Sequence, residues 1–184
     1  MLNHKGTTSL ETGRLILRQF SEKDATEMYN NWASDTEVTK YLTWPTHSSV
    51  EVTSKVIGMW VDNYKNMECY QWAIELKENG QVIGSISLMN IDNHVENCEI
   101  GYCIGKAFWN KGIVTEAFSS IIDFAFNQVG FQRITGRHHV GNPASGKVME
   151  KCGLKYEGLL RKISKNSSGI LVDCKYYSIL KDEY

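Results

Sequence analysis

The chain has 184 residues, 42% hydrophobic and 22% charged, and its 20 Lys+Arg against 21 Asp+Glu leave a net charge of -1. That length buries enough apolar surface to hold a core without disulfide or metal staples, and the balanced charge argues against a chain built to coat nucleic acid or an anionic membrane. No apolar run approaches the roughly 20 residues of a membrane span, the polar start Met1 to Glu11 lacks a secretory apolar region, and this apolar content with only two prolines argues against disorder.

In chain order, Arg14 to Arg18 reads as a strand, and Ser21-Glu22-Lys23-Asp24 as the capped start of a helix. Apolar residues then recur at helical spacing from Asp24 to Ala33 and from Val50 to Tyr64. Tyr70 to Leu76 and Val82 to Ile91 are β-rich runs, and Asn79-Gly80 between them signals a hairpin. Cys98, Ile100, Tyr102 and Ile104 alternate as a third strand of this group. After Gly112 the period returns to 3.6 and runs to about Gly130. An extended stretch from Arg133 to His139 follows, then a helix from Asn142 to Cys152 stopped by Gly153, then strands from Lys155 to Ile163 and from Ile170 to Leu180. Strand, helix, strand, helix implies one parallel crossover inside a largely antiparallel sheet, so the class is α+β or mixed α/β. With no repeat or linker, one domain over residues 9–180 is expected.

The five cysteines, Cys69, Cys98, Cys103, Cys152 and Cys174, are odd in number and scattered, and neither C-x-x-C nor H-E-x-x-H occurs. Reduced thiols in a cytoplasmic protein without a metal site are the expectation.

Two segments bear chemistry. In Ile104 to Ala117 a strand ends, a short loop turns on Gly112, and a long helix begins. The first amides of a helix lack internal partners and lie at the positive end of its dipole, so this junction can hold a phosphate or pyrophosphate, with charge added by Lys111. The nucleotide loops G-x-x-x-x-G-K-[ST] and G-x-G-x-x-G are both absent. In Asn142 to Leu154 another helix starts, where Asn142 suits the N-cap and Pro143 the first helical position.

Asn142 and Ser145, Lys151-Cys152-Gly153-Leu154 and Glu157-Gly158 together resemble the N-x-x-S, K-x-G-F and E-G tail of the GNAT superfamily, N-acetyltransferases that use acetyl-coenzyme A. Thr12-Gly13-Arg14-Leu15-Ile16-Leu17-Arg18 is similar to that family's first strand, Glu99-Ile100-Gly101-Tyr102 to its fourth, and Lys111 to Ala117 to its pyrophosphate loop. Order and spacing, with Trp44-Pro45, resemble the RimJ/RimL-like branch, the ribosomal-protein N-terminal acetyltransferases.

The resemblance implies a seven-stranded, mostly antiparallel mixed sheet flanked by four to five helices and splayed between its fourth strand (97–104) and its fifth (132–139), with acetyl-coenzyme A in the opening. It implies that Tyr102, Cys103 and Ile104 offer backbone hydrogen bonds to the pantetheine arm. It places the pyrophosphate on Asn110, Lys111, Gly112, Ile113, Val114 and Thr115, and brings Asn142 and Ser145 to the arm near its sulfur. The sequence departs from the family at Trp109 and Val114 of the loop, at Met149, where a related branch has a tyrosine acid, and at Ser164, where some RimL-type enzymes have a carboxylate.

Acyl transfer to an amine needs a group to take the amine proton and a route for the thiolate to leave protonated. Glu99 is the leading base and acceptor-facing carboxylate, against the plainer reading of a strand carboxylate paired with Lys or Arg. Ser145 is the donor to the departing sulfur. Cys103 has no histidine placed by sequence to activate it, which favours direct attack in a ternary complex. Trp44 is placed at the acceptor mouth. His138 and His139 point to opposite faces of a strand and read as surface histidines, and Arg161, Lys162 and Lys165 form a small basic cluster that could meet an acidic acceptor or the cofactor's phosphate, against the plainer reading of a solvated loop. The acceptor expected is a protein N-terminal amine, with a small amine (polyamine, amino acid or aminoglycoside) or a non-catalytic coenzyme A-binding module as alternatives. A polycation would require a cluster of carboxylates, for which Asp35, Glu37, Asp92 and Glu96 are candidates. Oligomeric state, a homodimer included, is left open.

Overall fold

The computed structural model describes all residues, Met1–Tyr184. A two-residue strand β1 (Leu10–Glu11) turns into β2 (Leu15–Arg18), and three helices follow: the short α1 (Ala25–Met28), which continues as a π turn over Tyr29–Ala33, the short α2 (Thr36–Thr39) and the longer α3 (Val50–Asn63). A meander comes next, β3 (Tyr70–Leu76), β4 (Val82–Asp92) and β5 (Asn97–Ile104). α4 (Ile113–Asp123), extended by a π turn to Val129, crosses over to β6 (Arg133–His139), and α5 (Pro143–Lys151), β7 (Lys155–Lys165) and β8 (Leu171–Leu180) complete the chain. The helix α4 with its π extension stops at Gly130, whose φ of 100° is the left-handed conformation glycine adopts without strain.

All eight strands join one sheet in the order β1-β2-β3-β4-β5-β6-β8-β7. The expected count of seven is corrected to eight, because Leu10 and Glu11 pair with Leu17 and Ile16. Every neighbouring pair is antiparallel except β5 and β6, the two strands joined through α4.

Strand alternation sends successive side chains to two cores. One face carries 27 buried residues beneath α4 and α5, among them Trp72, Ile86, Ile100, Phe118, Phe124 and Ile134. The other carries a smaller group under α1 to α3, with Trp32, Ile57, Ala73 and Val82. Consecutive residues at the end of β5 obey the same rule, Tyr102 packing on the first core and Cys103 on the second. Each fully buried large side chain contributes about 1.5–3 kcal/mol.

The parallel pairing of β5 with β6 runs only from Asn97↔Arg133 to Ile100↔Gly136, whereas β5 continues to Ile104 and β6 to His139. Beyond Ile100 and Gly136 the sheet is therefore forked. β4 stays tight against the free part of β5, because Gly84 lets the strands approach: a Cβ there would lie 2.5 Å from the Cys103 carbonyl oxygen. Gly84→Ala is expected to destabilise the protein by about 1–3 kcal/mol, since the obstacle is backbone that has no rotamer to change; a urea titration measures the loss.

Candidate active site

Three features meet at the fork. The first is backbone left unpaired. The Gln132 N–H donates to the Glu96 carbonyl, the Thr135 hydroxyl to that of Cys98, and the Gly105 N–H to that of Ile83. Main-chain groups of even-numbered β5 residues thus face β6, and those of odd-numbered residues face β4. Where β6 has diverged, Tyr102 and Ile104 face the opening. The Ile104 carbonyl is taken by the indole N–H of Trp109 at 3.0 Å, which ties the next loop to the strand end. Cys103 departs from the expectation, because its main chain is turned to Ser85 on β4 rather than to the gap.

The second feature is the loop into α4. Asn110 (φ 60°) and Gly112 (φ 71°) are both left-handed, and they flank Lys111. None of the amides from Asn110 to Thr115 has a partner in the protein. Successive free amides at the start of an 11-residue helix form a cradle for an anion. The Val114 side chain packs against the core, so its amide is left open to the cradle. A carboxylate beside an anion site would repel its ligand, and Glu116 is neutralised in place. Its Oε2 accepts Arg14 Nε at 2.6 Å, its Oε1 accepts the Thr12 hydroxyl at 2.6 Å and the Arg14 N–H at 2.8 Å, and Arg14 Nη1 also donates to the Lys111 carbonyl at 2.9 Å.

The third is a cleft of about 320 Å³ along the fork, lined by Trp44, Glu99, Tyr102, Cys103, Arg137, Asn142 and Ser145 among others. Two polar clasps cross the fork. On the α4–α5 face the Tyr102 hydroxyl donates to the Ser145 carbonyl at 2.9 Å and lies 2.8 Å from Ser145 Oγ, so the serine hydroxyl donates to the phenol oxygen. On the other face Glu99 Oε1 accepts Arg137 Nε at 2.8 Å, and Glu99 Oε2 accepts the Asn90 amide at 3.1 Å. Glu99 is at once in the cleft and paired with an arginine. Asn142, half-buried, makes no side-chain cap and no other side-chain hydrogen bond, so capping does not account for it.

Cys103 Sγ sits 3.3 Å from Ser85 Oγ, and burial pushes its thiol up to about 11, so it is not a thiolate at neutral pH. Asp35, Glu37, Asp92 and Glu96 are all outside the cleft lining: Asp35 accepts the Glu37 N–H at 2.8 Å, Asp92 that of His94 at 2.9 Å, and Glu96 pairs with the N-terminus at 2.7 Å. Met149 is buried against Gly136. Ser164 and Lys165 reach the rim. Arg137 and the Tyr102 hydroxyl were not picked out by sequence reasoning; only the register of β5 on β6 brings Arg137 to Glu99.

His138 is not a surface residue: it is 6% exposed and packs against Gly146 at the start of α5. Its Nδ1 lies 2.8 Å from the His139 carbonyl, which can only accept, so Nδ1 carries the proton and Nε2 is a buried acceptor without a partner. Burial pulls its pKa below the ordinary 6.5. No helix is long and apolar enough to cross a membrane, and no group of three or more His, Cys, Asp or Glu could hold a metal ion.

Comparison with known proteins gives a consistent set of similarities. The family model described as Acetyltransferase (GNAT) domain matches residues 14–155. An uncharacterized N-acetyltransferase p20 of Bacillus licheniformis is 34% identical over 176 residues, 96% of this chain and 98% of that protein. The [ribosomal protein uS5]-alanine N-acetyltransferase of Escherichia coli (strain K12) is 23% identical over 155 residues, 81% of this chain and 79% of that protein. The microcin C7 self-immunity acetyltransferase MccE, solved with acetyl-CoA and AMP, superposes with a TM-score of 0.81 at 25% identity, covering 92% of this chain and 93% of that one.

The buried histidine sets a pH dependence. Below pH 6.5 the unfolded chain takes up a proton that folded His138 resists, so stability falls as the pH drops from 6.5 towards the lowered folded value. His47, also lowered by burial, adds to the same slope. His138→Asn, which keeps a donor for the His139 carbonyl, is expected to flatten part of this decline in urea midpoints measured from pH 7.5 to 5.

Proposed function

The chain belongs to the GNAT acetyltransferase family, and from that premise we propose that it transfers the acetyl group of acetyl-CoA to a primary amine, a protein N-terminal α-amino group, by direct attack in a ternary complex. The observation that carries this reading is the fork itself: unpaired backbone at Tyr102 facing the gap, a row of unpartnered amides at one end, and a cleft holding Glu99 at the other. The donor, when bound, supplies an activated thioester carbonyl.

The chain's own groups account for the remaining tasks. The amides of Asn110 to Thr115, helped by Lys111, hold the two phosphates, and Arg14 keeps the Glu116 carboxylate from opposing them. The Tyr102 main chain and the free Asn142 side chain bind the amide-rich arm. Glu99 orients the amine and takes its proton, directly or through water. To return a proton to the departing sulfur, the Ser145 hydroxyl turns its hydrogen from the Tyr102 oxygen to the sulfur, and the Tyr102 phenol turns from the Ser145 carbonyl to donate to Ser145 Oγ. Met149 stands where a related branch has an acidic tyrosine; here a phenol reaches the same helix from β5 instead. Cys103 remains a protonated thiol and forms no acyl-enzyme.

An α-amino group titrates near pH 7.7–8.0, against about 10.4 for a lysine-type amine, so a large share is already neutral at physiological pH. A base that is itself paired with Arg137 suits such an acceptor. The Escherichia coli relative, whose name specifies the alanine of ribosomal protein uS5, supports the same acceptor class. A polyamine or aminoglycoside would need several free carboxylates, and Glu99 is the one carboxylate in the lining.

Thiol release from acetyl-CoA is expected with N-terminal peptides as acceptors, and Glu99→Gln should lower kcat/KM by about 100-fold while the dissociation constant for acetyl-CoA stays within about twofold. Tight acetyl-CoA binding with no thiol release from any amine would instead show a non-catalytic binding module. Arg14→Ala is expected to weaken acetyl-CoA binding about tenfold in calorimetry, and Arg14→Ala with Glu116→Gln to recover part of that loss. If the double variant recovers nothing, Arg14 acts other than by neutralising Glu116.

A further inference from the structure

The charges lining the cleft do not cancel. Glu99 is its only carboxylate, and it already accepts Arg137 on one oxygen and Asn90 on the other, which leaves one further acceptor position on each for an amine. Arg137 spends Nε on Glu99 and Nη1 on the Tyr176 hydroxyl at 3.3 Å, which leaves the N–H groups of Nη2 without a partner. Its side chain is 25% exposed, enough to present that edge to an incoming molecule.

The other walls do not restore the balance. Lys165 stands at the rim, where β7 pairs with β8, and forms no ion pair. Asp173, the nearest acid in sequence on that wall, alternates to the opposite face of β8 from Val172 and Cys174, and it accepts the Lys162 N–H at 2.8 Å. His139 Nδ1 accepts the Gly141 N–H at 2.7 Å, so the ring's other nitrogen is the donor. Burial raises Tyr102, Cys103 and Cys174, so these contribute no negative charge at neutral pH. Beyond the Glu99–Arg137 pair, the cleft has an open arginine edge and a lysine, and no second carboxylate.

Resting on the acetyltransferase reading above, we propose that the acceptor carries a carboxylate beside its primary amine, and that Arg137 and Lys165 hold this carboxylate while the amine faces Glu99. A planar guanidinium edge matches a carboxylate in geometry as well as charge. A polycation would instead set its ammonium groups against two cations. The N-terminus of a chain that begins with Glu or Asp and a free acidic amino acid share this chemistry, and both are tested.

The experiment measures thiol release by the full chain at saturating acetyl-CoA with four acceptors: a C-terminally amidated peptide beginning with Glu, the same peptide beginning with Ala and free of acidic residues, free L-glutamate, and spermidine. The expected result is a kcat/KM for one or both acidic acceptors about tenfold above that of the Ala peptide, with spermidine lowest. The larger of the two acidic values identifies the source of the carboxylate. Lys165→Glu should remove the preference by raising KM for the acidic acceptor, while acetyl-CoA binding is unchanged. Equal or better use of the Ala peptide or spermidine overturns the proposal and leaves the acetyltransferase reading intact. So does a Lys165→Glu effect that is the same for every acceptor. Thiol release from none of the four, with acetyl-CoA still bound, overturns both.

Discussion

A β-strand cannot leave its N–H and C=O groups unpaired in a protein interior, and the site depends on the point where β5 and β6 stop satisfying one another. Pairing ends at Ile100 and Gly136, yet β5 remains a strand through Ile104 because β4 holds its other edge. The main chain of Tyr102 is therefore extended, rigid and unpaired on one side. A ligand with amides of its own can complete the ladder there. A flexible loop would first have to lose conformational entropy to present the same groups.

The same fork explains where the proposed reactive side chains lie. Residues on either side of the point of divergence come from different strands but remain within hydrogen-bond reach, and this is how Glu99 meets Arg137 and Tyr102 meets Ser145. The two clasps lie on opposite faces of the sheet, so a molecule lodged in the gap has a carboxylate on one side and a hydroxyl pair on the other. Proton removal and proton return need not share one group.

Charge is handled locally. With a net charge of -1 the chain has no general field to attract an anion. Unpartnered amides at the start of α4 supply the positive potential, and the one carboxylate that would oppose it, Glu116, is bound by Thr12 and Arg14 from the β1–β2 hairpin. That small hairpin, at the far edge of the sheet order, thus has a part in the proposed anion site through α4.

Much was legible in the sequence because it rests on local rules. Period-two and period-3.6 patterns located the strands from Tyr70 to Ile104 and the helix after Gly112, and Gly130 and Gly153 marked helix ends through their left-handed conformations. The strand-loop-helix junction at Asn110 to Thr115, with its unpartnered amides, was visible for the same reason, since a strand, a glycine turn and a helix start are all written in consecutive residues. The eighth strand was missed because Leu10 and Glu11 are too few to show a pattern and exist as a strand only by pairing with β2. His138 was misplaced because burial of a polar ring depends on Gly146, whose lack of a side chain lets α5 close over it. Arg137 was missed because its partner lies 38 positions away. Local chemistry, then, determined the elements and the unpartnered amides at the start of α4. Only the tertiary structure decided which charges meet and which remain unspent, because register across the parallel pair sets distances between residues that the sequence keeps far apart.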